Sequence, residues 1–353
     1  MRRGWRSRSE SPTPGAAADG RVETEPAARL LDEVASLTEQ NRRGRDASVD
    51  ERLVRLRHEA YFDLRGAPRA VWPPVLDDPF PAVVGRPPES TSAELTAAVV
   101  GGAIQHHGCL LVRGLLSPER VARLVDDTDR AFRARDDALA GAPVSRTRPW
   151  YVPFEPGPES PPLVDGQRQW VRDCGAVWAA DSPAAMFDVI ESFDEARIPQ
   201  LVREYLGEPA ALSVNKCTLR RVRPGAVGAW HQDGSFLGDG VRTISVWVAL
   251  SECGDETSSP GLGMVPRRVD HVLPTNIAGT ASAISVGLAG LTEALHGLRP
   301  LRPTFAAGDA LLFDELFVHS TGGTPGVTTD RYALESWFFA PSTFPPSYVP
   351  MAV

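Results

Sequence analysis

The sequence has few cysteines, no long apolar run and no excess of positive charge. Because its four cysteines lie far apart, no disulfide framework is expected, and a reducing cytoplasm is the predicted location. No apolar run approaches the roughly 18 residues of a membrane span. The net charge of −8 excludes a general basic field for holding nucleic acid or an anionic membrane. The cysteines are Cys109, Cys174, Cys217 and Cys253.

The first half of the chain is predicted to be mostly helical. Residues 1–25 are polar and carry no apolar segment of the kind found in secretion signals, so they predict a disordered tail. Residues 26–90 are predicted to form a helical N-terminal extension, because two stretches place apolar residues at helical spacing. Residues 109–112 are apolar and predict a buried strand, after which Ser117 and Pro118 predict the start of a helix.

The second half is predicted to be mostly strands. From about residue 210 it contains short runs bounded by Gly or Pro, in which β-branched and aromatic residues dominate. Short strands that follow helices predict an antiparallel sandwich or barrel with a helical flank. Residues 140–182 are predicted to be rich in loops, and 275–300 to be an insertion that contains a helix. The clearest runs are "ALSVNKCTLRRV", "RTISVWVALSE", "DALLFDELFVHS" and "RYALESWFFA".

The stretch "AWHQDG" places His231 and Asp233 one residue apart, a pair that also arises by chance. As metal ligands they would need a third ligand from a distant strand. His271 stands beside Asp270 in a stretch typical of a rim or surface. His319 ends the apolar run "ALLFDELFVHS", where a rigid strand can hold an imidazole towards a cavity, and is therefore the preferred candidate.

Two histidines and one carboxylate are compatible with two chemistries. They form the facial triad of non-haem Fe(II) oxygenases, but zinc hydrolases use the same ligand types. Arg331, twelve residues after His319, favours the oxygenase, because a guanidinium can bind the far carboxylate of 2-oxoglutarate in a bidentate manner. The alternative for Arg331 is a salt bridge with Asp330 or Glu335.

Taken together, these motifs resemble the phytanoyl-CoA dioxygenase family of Fe(II)/2-oxoglutarate-dependent oxygenases. The resemblance rests on "WHQDGSF", "TISVWVALSE", "GDALLFDELFVHSTGG" and the arginine that follows, and it extends over about residues 100–340. It implies a mainly β fold with flanking helices (α+β) and a double-stranded β-helix, or jelly-roll, core. The oxygenase domain is then expected to span residues 91–345, with the loop 140–182 and the insertion 275–300 near the cavity mouth.

The resemblance also implies an activity and a set of site residues. The expected reaction is hydroxylation of a C–H bond of a small molecule by Fe(II), 2-oxoglutarate and O2, with release of succinate and CO2. An aspartate at position 233 argues against halogenation, because related halogenases carry a small residue there. The implied iron ligands are His231, Asp233 and His319, Arg331 is implied to hold the 2-oxoglutarate carboxylate, and Trp247, Thr321 and Thr218 are implied to lie near the cosubstrate.

The sequence departs from the family in one segment and leaves two other functions open. Arg267 and Arg268 stand where the family usually has small residues, so the substrate-facing rim is expected to differ. The alternatives are a non-catalytic jelly-roll binding protein and a two-His-carboxylate metal hydrolase. The expected partner is a small-molecule substrate, without nucleic acid or membrane, and both a monomer and a homodimer remain open.

Overall fold

The computed structural model describes residues 25–64, 71–238, 240–275, 283–322 and 326–353. The tail predicted for residues 1–25 lies outside them except for its last residue, which begins the first helix. The helices are Glu25–Arg43 (α1), Ala47–Tyr61 (α2), Ala97–His107 (α3), Pro118–Leu139 (α4), Val144–Thr147 (α5), Asp165–Asp173 (α6), Pro183–Glu195 (α7), Ile198–Leu206 (α8), Gly234–Leu237 (α9) and Leu288–Leu295 (α10).

The strands form one large sheet and one short one. The strands are Glu89–Thr91 (β1), Cys109–Arg113 (β2), Ala176–Trp178 (β3), Ala211–Ser213 (β4), Thr218–Val222 (β5), Thr243–Ala249 (β6), Gly261–Met264 (β7), Ala310–Phe313 (β8), His319–Gly322 (β9), Arg331–Phe339 (β10) and Pro350–Ala352 (β11). The large sheet has the order β1-β2-β8-β6-β10-β4-β11, with β5 also paired to β10 and β3 paired to β5. The short sheet pairs β7 with β9.

An apolar layer joins the inner faces of the two sheets. It contains Trp247 and Leu311 from the large sheet and Leu262 and Met264 from the short one. Apart from the parallel pair β1–β2, the paired strands of the described chain run antiparallel. This arrangement confirms the predicted α+β fold with a double-stranded β-helix core and flanking helices.

The helix start predicted after the first buried strand is confirmed at α4. The Ser117 hydroxyl accepts a hydrogen bond of 3.3 Å from the Arg120 amide, and Pro118 occupies the first turn, where its missing N–H is no loss. Val121, Leu124 and Phe132 form its buried face. This face lies in the larger hydrophobic core, which fills the side of the large sheet away from the short one.

The N-terminal helices pack against the rest of the protein. Helix α2 contacts α1, α7 and β11. The buried side chain of His58 connects three segments: its Nδ1 lies 2.7 Å from the Pro350 carbonyl oxygen, and its Nε2 accepts a 3.0 Å hydrogen bond from the Gly157 amide. The last strand of the chain is thereby joined to α2. None of the helices in the described ranges is long and apolar enough to cross a membrane.

Two segments predicted from composition contain regular structure. The loop-rich segment 140–182 carries α5, α6 and β3, and β3 extends the large sheet beside β5. The insertion 275–300 carries α10, while its residues 276–282 lie outside the described residues.

Candidate metal centre

The proposed metal ligands meet where a loop crosses the short sheet. His231 and Asp233 lie in the loop between β5 and α9, and His319 is the first residue of β9. Backbone hydrogen bonds of 3.0 Å in both directions join His231 to His319, so the two residues form an isolated antiparallel bridge. Their rings lie 4.4 Å apart between centroids. The two ligand regions, far apart in sequence, are thus joined directly through the backbone.

The side chains of this group offer a set of ligand atoms that one ion can share. One ligand atom from each of His231, Asp233 and His319 lies within 4.8 Å of the other two, and Asp233 Oδ1 is 3.7 Å from His231 Nε2. Each imidazole Nδ1 lies close to a backbone carbonyl, that of Ala229 at 2.9 Å and that of Phe317 at 3.0 Å. If Nδ1–H donates there, the Nε2 lone pair of each ring is free for a metal.

The pKa shifts of the three side chains are compatible with metal binding. Burial lowers the pKa of His231 to about 4, and the adjacent His319 acts in the same direction. Burial also lowers the pKa of His319, so both imidazoles are neutral at pH 7, as ligation requires. Burial raises the pKa of Asp233 to about 7, and its Oδ2 is buried without a hydrogen-bond partner. A bound cation would satisfy that oxygen and favour the carboxylate.

His271, the other candidate for the third ligand, lies elsewhere. Its side chain is 61% exposed and its Nε2 is 3.4 Å from Glu293 Oε1. It does not belong to the metal-ligand group found among the described residues. The preference for His319 over His271 therefore agrees with the geometry.

Arg331 is fully buried and lacks a carboxylate partner among the described residues. Its Nη1 donates to the Gly261 carbonyl oxygen at 3.1 Å, whereas its Nε and Nη2 have no hydrogen-bond partner. Of the two acids considered as its salt-bridge partners, Glu335 pairs with Arg220 and Asp330 lies 3.9 Å from Arg221. Burial lowers the pKa of Arg331 to about 10, so the side chain is charged at neutral pH. Two donor nitrogens of this buried cation, Nε and Nη2, thus have no acceptor among the described residues.

The three residues expected near the cosubstrate lie around this arginine and the metal ligands. The Trp247 ring centroid is 5.5 Å from the Arg331 guanidinium carbon, and the indole N–H is buried without a partner. Thr218 and Trp247 both stand opposite Glu335 in the sheet register and so share its face. Thr321 follows His319 by two residues in β9 and therefore lies on the same face as that ligand.

Sequence reasoning considered Glu335 only as a partner of Arg331 and did not place it, or Lys216, near the metal ligands. Glu335 and Arg220 form an ion pair beside the metal ligands, and the charge of Glu335 acts on His231, Asp233 and His319. Lys216, just before β5, acts on Asp233 and His319 in the opposite direction, because its positive charge lowers the pKa values that the negative charge of Glu335 raises. Alternation along β10 puts Glu335 on the face of Arg331, and that period of two was the signal that could have found it.

Arg267 and Arg268 are tied to neighbouring segments. Arg268 Nη1 lies 2.6 Å from Asp314 Oδ2, in the turn that follows β8. Arg267 Nη1 donates to the Ala294 carbonyl oxygen in α10 at 2.8 Å. The two arginines therefore attach the segment after β7 to the rest of the structure.

Comparisons with known proteins match part of this chain to one family model and find several distant structural likenesses. Residues 104–259 match the family model described as phytanoyl-CoA dioxygenase (PhyH), a range that includes His231 and Asp233. No curated protein matches the chain significantly.

Among solved structures, EctD from S. alaskensis with 2-oxoglutarate and 5-hydroxyectoine has 18% identity and a TM-score of 0.48, over 80% of this chain and 85% of that one. AviO1 from Streptomyces viridochromogenes Tue57 has 17% identity and a TM-score of 0.43, over 68% and 92%. SnoN, a non-heme alpha ketoglutarate dependent epimerase from nogalamycin biosynthesis, has 19% identity and a TM-score of 0.41, over 67% and 80%. These likenesses are too distant to indicate a substrate.

Proposed function

We propose that this chain, which belongs to the phytanoyl-CoA dioxygenase family of Fe(II)/2-oxoglutarate oxygenases, hydroxylates a C–H bond of a small molecule and releases succinate and CO2. The observation that carries the proposal is the joint placement of the His-Asp-His group and a buried arginine with unpaired donors. His231, Asp233 and His319 would hold Fe(II) through two imidazole nitrogens and one carboxylate oxygen. Arg331 would hold 2-oxoglutarate through its far carboxylate.

The residues of the chain fit both groups. Asp233 Oδ2, Arg331 Nε and Arg331 Nη2 are buried polar atoms without partners, and leaving such atoms unsatisfied is unfavourable. Fe(II) at the first atom and a carboxylate at the other two would satisfy all three. With O2, iron and 2-oxoglutarate supply the oxidising chemistry that the side chains lack.

The side chains of the protein would position the iron and the cosubstrate and exclude water from the site. Hydrogen bonds from Nδ1–H to the carbonyls of Ala229 and Phe317 would orient the two imidazoles and leave each Nε2 free to hold Fe(II). The apolar layer around Trp247 keeps the Arg331 side of the site dry, which strengthens its attraction for an anion. Thr218, Trp247 and Thr321 would line the space between the two anchors.

A hydrolase or an inert binding protein explains these features less well. Neither requires a buried arginine with two free donor nitrogens against β7, the strand that pairs with the strand of His319, and such an arginine destabilises the fold unless an anion binds it. The carboxylate at Asp233 fills the position that a halogenase leaves open for chloride. Hydroxylation is therefore the proposed outcome.

We also propose the domain limits given above. Residues 91–345 would form the oxygenase domain and 26–90 the helical extension. Trp170 of α6 supports a position near the cavity mouth for the loop 140–182, since its ring lies 5.7 Å from the Lys216 amine. The contact of Arg267 with α10 ties the insertion 275–300 to the segment after β7.

The first test is turnover of 2-oxoglutarate. Iron-loaded protein with saturating 2-oxoglutarate should release succinate in an O2-dependent manner, and under anaerobic conditions it should show a visible metal-to-ligand band. Absence of both signals would overturn the oxygenase proposal. Oxygen-dependent products one oxygen heavier, sought in a metabolite extract, would then identify the substrate.

The second test is replacement of Arg331. In Arg331→Met, loss of the charged hydrogen bonds should weaken 2-oxoglutarate binding by about 10–100-fold, while iron affinity without the cosubstrate stays unchanged. Arg331→Lys should retain part of the affinity, because the charge remains without the bidentate fork. The control Arg130→Met, at an exposed ion pair in α4, should behave like wild type. Equal loss of iron and 2-oxoglutarate in Arg331→Met would mean that the arginine is structural.

A further inference from the structure

The chain uses lysine once. Its 37 basic residues are 36 arginines and Lys216, so arginine supplies positive charge everywhere else. Lys216 ends a short 3₁₀ turn between β4 and β5, immediately before the strand that carries Thr218 and Arg220. The single lysine therefore lies beside the proposed active site.

Aromatic rings surround the amine of this lysine. Its Nζ lies 4.4 Å from the ring centroid of Trp337 and 4.7 Å from that of Phe236, with Trp170 at 5.7 Å and Tyr348 at 5.9 Å. These rings come from β10, α9, α6 and the segment before β11. Such contacts hold an ammonium in place by cation–π attraction but accept no N–H hydrogen bond of ordinary strength. The amine is thus fixed, with its donors still to be satisfied.

Among the described residues, no carboxylate neutralises Lys216. Within the part of the chain that the structure describes, Lys216 forms no ion pair with an Asp or Glu and no side-chain hydrogen bond, and its polar end contacts aromatic rings. Glu335, the acid on the same strand as Trp337, is paired with Arg220. The charges of Glu335 and Asp233 both act on Lys216, although neither carboxylate forms an ion pair with it. Burial lowers the pKa of Lys216, and the residue is half-buried.

This step rests on the proposed function, in which the site binds Fe(II) and 2-oxoglutarate and their charges must be counted with those of the protein. Fe(II) and Arg331 would together neutralise Asp233 and the two carboxylates of 2-oxoglutarate. Arg220 and Glu335 neutralise one another. Lys216 is then left as a positive charge without a counterpart in a partly dry environment, which is unfavourable unless an anion arrives.

We propose that Lys216 is a substrate-binding residue whose ammonium receives an anionic oxygen group, a carboxylate or a phosphate, of the molecule to be oxidised. The aromatic rings hold the amine from behind, and the anion takes the donors that remain. A compact ammonium can direct its donors to one oxygen group, whereas the planar guanidinium of arginine would need more room between the rings. The substrate class is therefore a small anion.

Binding of small anions tests this role. The probes are phenylacetate, phenyl phosphate and the neutral phenylacetamide, titrated by tryptophan fluorescence into metal-free protein and by the visible band into anaerobic protein loaded with Fe(II) and 2-oxoglutarate. Wild type should bind at least one anion. Lys216→Arg should bind it more weakly than wild type, because the guanidinium needs more room between the rings, and Lys216→Met should bind it about ten-fold or more weakly. Phenylacetamide should not distinguish the variants. The control Arg203→Met, at an exposed arginine in the last turn of α8, should match wild type.

The binding measurements identify the anionic group that the site accepts or contradict the proposal. Preference for phenylacetate or for phenyl phosphate identifies the group that the site accepts. Anion affinity in Lys216→Met equal to that of wild type overturns the proposal, and so does a wild type that binds neither anion. Missing iron or 2-oxoglutarate binding in wild type counts against the oxygenase function, while the metal-free titration still decides the role of Lys216.

Chemical labelling provides a test that needs no variant. Because the chain has one lysine, reductive methylation can modify only Lys216 and the N-terminal amine, and mass spectrometry distinguishes the two. The anion that binds should slow methylation of Lys216 and leave the N-terminus unaffected. Equal rates at Lys216 with and without both anions would overturn the proposal even if Lys216→Met failed to fold.

Discussion

Gln232 lies between two of the proposed iron ligands, and its fully buried amide holds their loop in place. Its Nε2 donates to the carbonyl oxygens of His271 at 3.0 Å and Leu316 at 2.6 Å. Its Oε1 accepts from the Leu273 amide at 2.7 Å. One side chain thus ties the loop to two other segments, the kind of outer support that orients metal ligands.

Replacement of Gln232 should reduce both stability and iron affinity. Gln232→Ala removes two partly buried hydrogen bonds to carbonyls and leaves the buried Leu273 amide without its partner, so the free energy of unfolding should fall by about 1–3 kcal/mol. Iron should bind roughly 10–100-fold more weakly, because the ligands lose their support. Urea unfolding and iron titration measure the two effects. Gln200→Ala, at an exposed position in α8, is the control, and a Gln232→Ala variant that matched it would refute this role.

Lys216 and Arg331 are two cations whose lack of an acidic partner in the described ranges indicates a ligand. Each is a cation placed where the described structure supplies no carboxylate, whereas Arg168 and Arg268 have buried acidic partners. A charge that the fold leaves unpaired is a better indicator of a ligand than a charge alone, because a paired one is satisfied by the structure itself.

At the scale of elements, one ion pair attaches the segment after β7 to the end of β8. Arg268 reaches Asp314 at 2.6 Å, and both side chains are mostly buried. Burial raises the pKa of Asp314, and Arg268 opposes that rise. The pair lies close in sequence to His319, so it helps to fix the strand end that presents this ligand.

Removing only one partner of this ion pair should lower the free energy of unfolding more than removing both charges. Arg268→Met leaves a buried carboxylate without its partner and should destabilise the fold by about 3–5 kcal/mol. The double variant Arg268→Met/Asp314→Asn should recover part of that loss, because no charge remains buried. Urea unfolding of both single variants and the double variant gives the coupling free energy. Additive losses would show that the pair does not act as a unit.

At the scale of the whole molecule, a carboxyl pair links α4 to α7. Asp127 of α4 lies against Asp188 of α7, whose carboxylate is also close to Arg45, Arg120 and Arg123. Burial, with the charge of Asp188, raises the pKa of Asp127 to about 8. Asp127 is therefore protonated at neutral pH and can donate a hydrogen bond to its neighbour.

This pair predicts a loss of stability with rising pH. The folded state holds the proton of Asp127 more tightly than the unfolded chain, in which aspartate has a pKa of about 3.9. Its contribution is complete below about pH 4 and disappears as the pH rises through about 8. Asp127→Asn should flatten that dependence and be more stable than wild type at high pH, whereas the exposed Asp126→Asn should not. Urea unfolding at several pH values measures this, and parallel profiles for all three proteins would contradict it.

The sequence alone was sufficient for the fold class and for strands in the stretches that form β5, β6 and β10, and its preference for His319 over His271 agrees with the geometry. Short-range patterns carry that information, since a period of two marks a half-buried strand and a rigid strand can present a ligand. It was wrong to treat "ALLFDELFVHS" as one strand, because a turn separates β8 from β9 and His319 begins β9 instead of ending a strand. The family resemblance followed from the same stretches, and residues 104–259 match the family model.

Only the tertiary structure decided how the charges are distributed. Whether Arg331 pairs with Glu335, Asp330 or neither depends on which strands become neighbours. Because β10 pairs with β5, Glu335 forms its ion pair with Arg220. The rings around Lys216 come from four separate segments, so no local pattern could reveal them. Local sequence sets the period of each element, but the pairing of buried charges follows from long-range packing. Satisfied and unsatisfied charges can therefore be distinguished only in the folded chain.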